Sequence, residues 1–375
     1  MLDVDVLIVG AGIAGASLAW RLASRCSVLL IEREAQPGMH STGRSAAMFM
    51  ESYGPPGVRA LTRASRAFYE APPDGFCETP LMARRGALYV AMRGQEALLT
   101  DTTNELTAQG GVVQLLDAAA TLACVPCLRA ERVHASLYEA AAQDIDVHAL
   151  HQGFLRGFKA QGGTLRVGTQ MLRARRGGDA WHLDLTDGES VRATVVVDAA
   201  GAWADEVAAQ CAVPRIGLTP RRRSAFTFKA PDAVDVSSWP AVVAVDESWY
   251  FKPDAGRLLG SPANADDTVP HDVMPEALDI AIGIDRLQTA TTLNIRRPES
   301  TWAGLRSFVH DGELVIGFDN HAPGFFWLAA QGGYGIQSAA GASELACALI
   351  CAASLPASVG AAGVDVAVFS PSRLR

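Results

Sequence analysis

The residues best placed to do chemistry stand near the start of the chain, in the run Gly10-Ala11-Gly12-Ile13-Ala14-Gly15 with Glu32 about twenty positions on. Each glycine has its own use. Gly10 permits a tight turn, Gly12 lets a pyrophosphate approach the backbone, and Gly15 allows a helix to pack closely on a strand. The helix N-terminus that follows offers amide donors and a positive dipole end to phosphates. Glu32, at the end of the next strand, can accept both ribose hydroxyls and would repel a 2′-phosphate. This pattern predicts a dinucleotide site but does not separate NAD from FAD. The next segment does: residues 38–47 offer Ser41, Thr42, Gly43, Arg44, Ser45 and Ala46 where an extended cofactor would continue. A nicotinamide dehydrogenase would run on into another βα unit there, so the segment favours FAD.

Those residues need elements to hold them. Residues 3–9 turn from alternating to wholly apolar, as expected of a parallel strand covered on both faces. An Ala/Leu-rich helix and a second strand, residues 27–31, complete one βαβ unit. Two further strand-then-glycine passages occur, residues 194–201 (TVVVDAAG) and 325–335 (FFWLAAQGGYG), the latter opening a helix through about residue 352. Their separation predicts an α/β fold: a discontinuous Rossmann-like nucleotide-binding domain with a second, α+β domain inserted into it. The insert carries residues 221–262, rich in β-branched and aromatic residues. There a turn at Pro253-Asp254-Ala255-Gly256 predicts an antiparallel hairpin. The expected division is 1–78, 143–219 and 303–375 for the nucleotide domain, and 79–142 and 220–302 for a substrate domain built on an antiparallel sheet.

Composition excludes several classes. The 375 residues are 49% hydrophobic and 19% charged, unlike a disordered or fibrous chain. The net charge of −8, with no block of Lys or Arg, argues against a nucleic-acid surface. Seven cysteines, scattered and odd in number, form no secreted framework. The acidic start MLDVDVLIVG differs from a signal peptide, and no apolar run of membrane-spanning length precedes the last quarter. Residues 345–359 read as a buried helix and its exit loop. The expectation is a soluble, cytoplasmic protein. Cys124 and Cys127 have metal spacing without a second pair, and His148 and His151 lack a third ligand, so no metal site is assigned. Cys347 and Cys351, one helical turn apart, read as core packing.

GAGIAG, HSTGRSAA (40–47), VDAAGAWAD (197–205), GLRSF (304–308) and AAQGGYGIQ (329–337) together resemble the D-amino-acid oxidase/glycine oxidase family of flavoenzymes. Within it the chain most resembles bacterial FAD-dependent D-arginine dehydrogenases, also through REAQPG (33–38), RRSAF (222–226), KPDAG (252–256) and LLGSPANAD (258–266). The resemblance implies two domains, non-covalent FAD, and oxidation of an amino acid at Cα by hydride transfer to the flavin. It implies cofactor contacts at Arg33, Ala200, Gly201, Trp203, Gly332, Gly333, Tyr334, Gly335, Ile336 and Gln337, besides those above. Arg306 and Tyr250 match the family's carboxylate pair, as suits a fork-shaped donor with a hydroxyl beside it. Arg222 and Tyr53 match further substrate-site positions, and the Gly333 carbonyl matches the amine acceptor. A helix starting near Gly335 would turn its dipole toward the reduced ring.

The chain also departs from its arginine-preferring relatives. Where they place a pocket Glu, an ungapped reading gives Ala87, and Met48 and Met50 replace a His and a Thr. With the acidic partner gone, a guanidinium would be buried at a cost of several kcal/mol, and Glu51 is the nearest acid that could substitute. The expectation is a preference for neutral or apolar D-amino acids, and a gain of D-Arg activity in Ala87→Glu. The alternatives are a basic D-amino-acid dehydrogenase, a non-catalytic flavin-binding subunit, and NAD-dependent oxidation of a hydroxy acid. The residues leave the electron acceptor open among oxygen, a quinone and a redox protein.

Overall fold

The computed structural model describes residues 1–232 and 234–375. Val6, Leu7 and Ile8 follow one another without a polar residue, so the strand Leu2–Val9 needs cover on both faces, and it lies inside an eight-stranded sheet. Val28–Ile31 and Ser190–Asp198 flank it in parallel. Thr164–Arg166 extends one side. On the other, the C-terminal half of Ser190–Asp198 takes Phe325–Ala329 in parallel, and its N-terminal half takes the antiparallel Ala180–Leu185. All three strand-then-glycine passages thus end at the same edge of one sheet.

One face of this sheet is covered by the helices Ile13–Leu22, Pro56–Glu70, Val147–Ala160 and Gly335–Ile350, with Ile8, Leu18, Leu61, Phe154 and Leu345 among the buried contacts. The other face buries Leu7, Leu29, Trp181, Val207 and Trp327. The apolar stretch at the C-terminal end is this buried helix, which stops at Ile350 and is followed by the short helix Ala357–Ala361. Among the described residues no helix is long and apolar enough to cross a membrane.

The second sheet has nine strands. Its order is Asp266–Asp267, Thr219–Phe228, Arg257–Ser261, Tyr250–Asp254, Ala241–Ala244, Ala87–Met92, Val133–Glu139 and Gln114–Asp117, with Ser300–Phe308 also on Thr219–Phe228. The hairpin forms: Asp254 pairs with Arg257, and the two turn residues Ala255 and Gly256 both have positive φ (45° and 77°), as a tight two-residue turn requires. Two details differ from the expectation. Ala241–Ala244 runs parallel to Ala87–Met92, so the sheet is mixed. The strand Ser300–Phe308 belongs wholly to this sheet and crosses the boundary expected at 302; its nine-residue pairing with Thr219–Phe228 outweighs any local signal at Gly304.

Candidate active site

Three contiguous cavities line up along the edge where the glycine passages end. The first is walled by Gly10, Gly12, Glu32, Arg33, Ser41, Thr42, Ala200, Gly201 and Trp203. The second shares Gly12, Ser41, Thr42 and Gly201 with it, and continues past Ile13, Ala14, Arg44, Ser45 and Ala46 to Gly332, Gly333, Gly335 and Ile336. The third shares Ser45, Ala46, Arg223, Tyr250, Arg306, Gly333 and Ile336 with the second, and adds Met48, Met50, Tyr53, Tyr89, Glu247, Lys252 and Gln337.

The first two form a cradle of dinucleotide shape. Gly10 has φ +99°, and a Cβ there would stand 2.6 Å from the Ala199 carbonyl oxygen. At Gly15 a Cβ would lie 1.9 Å from the Gly10 carbonyl oxygen, so turn and helix meet only because both are glycine. Glu32 is 8% exposed, and its carboxylate is fixed by the amides of Ala11 (2.9 Å) and Glu34 (3.0 Å), leaving lone pairs for the cavity. Thr42 Oγ1 accepts from the Ile13 amide at 3.0 Å, tying the Ser/Thr loop to the helix start. The Arg33 guanidinium stacks over Trp203, 4.4 Å from its ring centre. Gln331 lines the second cavity, and its buried amide nitrogen, Nε2, has no hydrogen-bond partner among the described residues. Such an orphaned donor costs stability unless a ligand meets it, and an acceptor-rich flavin ring suits it. The cradle therefore fits FAD.

Some expected cofactor residues serve the cradle indirectly. Ala11 is fully buried, and Gly43 shapes a turn, its Cβ position 2.6 Å from the Gly38 carbonyl oxygen. Tyr334 precedes the helix Gly335–Ile350 and packs edge-on to Tyr53 and Phe308. Gln337 donates to the Tyr53 carbonyl (3.2 Å) and Thr62 Oγ1 (3.0 Å). Arg44 lines the second cavity, yet its guanidinium is taken up by the carbonyls of Val273 and Ala303 and by Asp272. It ties the loop down rather than offering free charge.

In the third cavity the Arg306 guanidinium lies flat against Gly333, where a Cβ would stand 2.9 Å from Nη1, and it donates to the Tyr53 hydroxyl at 3.0 Å. Arg223 stands on the same sheet face, because side chains alternate along a strand and Arg223 pairs opposite Gly304, two residues before Arg306. Its Nε donates to the Asn264 carbonyl. Among the described residues neither arginine has a carboxylate partner, whereas burial, and then the neighbouring Arg306, depress the pKa of Arg223. Two adjacent guanidiniums without an anion make a site for one.

The same alternation corrects the expectation at Arg222. That side chain points to the opposite face, where Asp266, Glu276 and Asp279 hold it. Three consecutive arginines, residues 221–223, leave a one-residue choice of face that local sequence does not settle.

Ala87 is also corrected. It is fully buried on Ala87–Met92, packs in a cluster with Met50, and lies outside the cavity lining. The residue of that strand that does reach the cavity is Tyr89. Nor does Glu51 supply an acid, because it pairs with Arg66. The acid of the cavity is Glu247, an exposed residue with φ +54° between Ala241–Ala244 and Tyr250–Asp254. Lys252 lines the same cavity but is paired with Asp144, at 2.8 Å. Of the residues set aside, His151 is buried and donates from Nε2 to the Ala11 carbonyl (2.8 Å); burial depresses its pKa against the pull of that bond. Cys127 is buried, its thiol pushed up to about 12 by burial.

Comparisons with known proteins bear on the fold, the family and the cofactor. The DAO family, described as FAD dependent oxidoreductase, matches residues 5–349. Glycine oxidase of Geobacillus kaustophilus is 25% identical over 346 residues, covering 87% of each chain. The crystal structure of glycine oxidase from that organism superimposes with TM-score 0.86 at 22% identity, covering 100% of this chain and 99% of that one. The tRNA 5-methylaminomethyl-2-thiouridine biosynthesis bifunctional protein MnmC of Burkholderia vietnamiensis is 26% identical over 288 residues, but the chain spans only 40% of its length. The dithionite-reduced L-alpha-glycerophosphate oxidase of Mycoplasma pneumoniae, solved with FAD bound, gives TM-score 0.84 at 17% identity, covering 94% of this chain and 95% of that one. The fold is that of the two solved structures, the glycine cradle fits FAD, and the chain belongs to the DAO family of FAD-dependent oxidoreductases.

Proposed function

We propose that the protein oxidises an amino acid at its amine-bearing carbon, with the α-carboxylate bound by Arg306 and Arg223. The pair of guanidiniums without a carboxylate partner carries this reading. Bound FAD supplies the two-electron acceptor for the hydride lost from that carbon. The chain's own residues do the positioning. Gly10, Gly12, Glu32 and the loop 41–46 hold the cofactor. Arg306 and Arg223 fix the carboxylate, with the Tyr53 and Tyr250 hydroxyls beside them. The Gly333 carbonyl is the acceptor proposed for the amine. Fixing carboxylate and amine on one wall presents a single enantiomer's Cα–H. The D-enantiomer is proposed, following the resemblance of the motifs.

The side-chain end of the cavity is lined by Met48, Met50, Ala241 and Val243, which suits neutral or apolar side chains such as those of Met, Phe or Leu. Glu247 supports a second reading. Its carboxylate, without a cation partner among the described residues, belongs to the same cavity lining, where a long basic side chain could place its cation. Steady-state kinetics with an artificial electron acceptor separate the two. The first reading expects higher kcat/KM for neutral D-amino acids than for D-Arg, and little effect of Glu247→Gln. D-Arg outperforming every neutral D-amino acid, with that advantage lost in Glu247→Gln, establishes the second.

A further inference from the structure

The strand Val133–Glu139 ends on a carboxylate that binding and orientation leave without a task. Glu139 is 3% exposed and has no cation partner among the described residues. The segment between Met50 and Tyr53 holds it: the Glu51 amide donates to Oε1 at 2.7 Å, and the Ser52 hydroxyl donates to Oε2. Ser52 Oγ lies in turn 2.8 Å from the Tyr89 hydroxyl, and Tyr89 forms part of the substrate-cavity wall. Ser52 and Tyr89 are 7% and 5% exposed. Carboxylate, hydroxyl and phenol therefore make an unbroken hydrogen-bonded line from the interior to the place where the amino acid would sit.

An uncompensated buried carboxylate is costly, and a plain latch for the 50–53 turn could be built from a neutral amide. No cation faces Glu139 among the described residues to oppose its taking a proton. On its own side stands Glu51, whose charge is shared with Arg66. Across the sheet Ala87 lies directly opposite and brings no charge. Tyr89 separates it from the cavity, with Tyr53 and Glu247 farther on. Burial, and after it the like charge of Glu51, raise the Glu139 pKa against the pull of Ser52 and the backbone amides.

Resting on the amine-oxidation reading, we propose that Glu139 is the proton acceptor of this site, receiving the substrate's ammonium proton through Tyr89 and Ser52. An ammonium nitrogen has no lone pair, so one N–H bond must break before Cα can release hydride. In the step the substrate N–H proton goes to the Tyr89 oxygen, the Tyr89 proton to Ser52 Oγ, and the Ser52 proton to a Glu139 oxygen. Substrate ammonium becomes neutral amine, Glu139 becomes neutral acid, and no electrons move. Both hydroxyls can serve the required direction: Ser52 donates to Glu139, and Tyr89, a residue of the cavity wall, can donate to Ser52.

The test is the pH profile of anaerobic flavin reduction and of kcat/KM in FAD-loaded protein, for the unmodified chain, Glu139→Gln and Tyr89→Phe. The unmodified enzyme should show an ascending limb set by Glu139, at lower pH than the ionisation of free substrate ammonium. Each variant should lose about 10²-fold in kcat/KM near neutrality, shift its limb up to the ionisation of the ammonium itself, and recover at high pH. Tyr89→Phe cuts the line at its cavity end while keeping every hydrogen bond that fixes Glu139, so it decides the matter should Glu139→Gln fold poorly. Infrared difference spectra on substrate binding supply a second readout: a protonated carboxylic-acid band that Glu139→Gln removes. A reducible flavin with an unmoved limb and losses confined to KM overturns the relay alone. A flavin that no amine reduces in the unmodified protein overturns the functional reading and the relay with it.

Discussion

Arg306 and Arg223 share a face of the second sheet and, among the described residues, have no carboxylate partner, while Arg222 has three. The three positions should therefore respond to substitution in different ways. Arg306→Lys keeps the charge and loses the fork, so KM should rise and kcat/KM fall about 10²-fold or more, taking ~3 kcal/mol for a charge-assisted pair. Tyr250→Phe should cost less, because both cations remain. Arg223→Met should likewise raise KM with little change in thermal midpoint. Arg222→Met should do the reverse, lowering the midpoint by leaving three carboxylates uncompensated, with KM nearly unmoved. Melting curves and steady-state kinetics on the same preparations check all four. If Arg222→Met raises KM as Arg223→Met does, the assignment of faces is wrong.

At the scale of elements, the glycine turn and the strand Ala87–Met92 show what could be read locally and what could not. Gly10, Gly12 and Gly15 announce their uses because each use is short-range: a positive φ, an open backbone, and a helix crossing its own turn. Gly15→Ala should therefore abolish flavin retention or soluble expression, since its Cβ would meet backbone at 1.9 Å; a yellow, stable Gly15→Ala protein contradicts this packing. The βαβ unit, the hairpin and the helix from Gly335 were legible for the same reason. The cavity acid was not. Glu247 and Tyr89 line one cavity only because distant strands pair, Ala241–Ala244 on Ala87–Met92, which neither periodicity nor ungapped reading reveals. Ala87 was misplaced by that reading, and its consequence changes sign. Ala87→Glu would put a second carboxylate opposite Glu139 in a fully buried position. The expected outcome is destabilisation by several kcal/mol and no gain of D-Arg activity. Chemical denaturation and D-Arg kinetics measure the two.

For the whole molecule, the cavities are lined from both the eight-stranded and the nine-stranded sheet, so their residues come from segments scattered over the chain. Arg44 binds the loop after the first βαβ unit to Val273 and Ala303 on the far side, and Trp302 donates back to the Arg44 carbonyl. Filling the cradle should stabilise the native state in proportion to ligand occupancy, by about 2.7 kcal/mol at 100 times the dissociation constant. The thermal midpoint should thus climb with added FAD, and climb much less in Glu32→Ala. NAD should leave it unmoved. A midpoint indifferent to FAD in the unmodified chain would remove the basis for placing the cofactor in this cradle.

The claim that the cradle and the arginine pair together oxidise an amino acid is tested most directly by anaerobic flavin bleaching. FAD-loaded protein is mixed with a panel of D- and L-amino acids, neutral and basic, and its visible flavin absorption is followed. Loss of that absorption with neutral D-amino acids, and retention with their L-enantiomers, is the predicted result. Protein that stays yellow with every amino acid, or that bleaches with the L-enantiomers alone, contradicts the account.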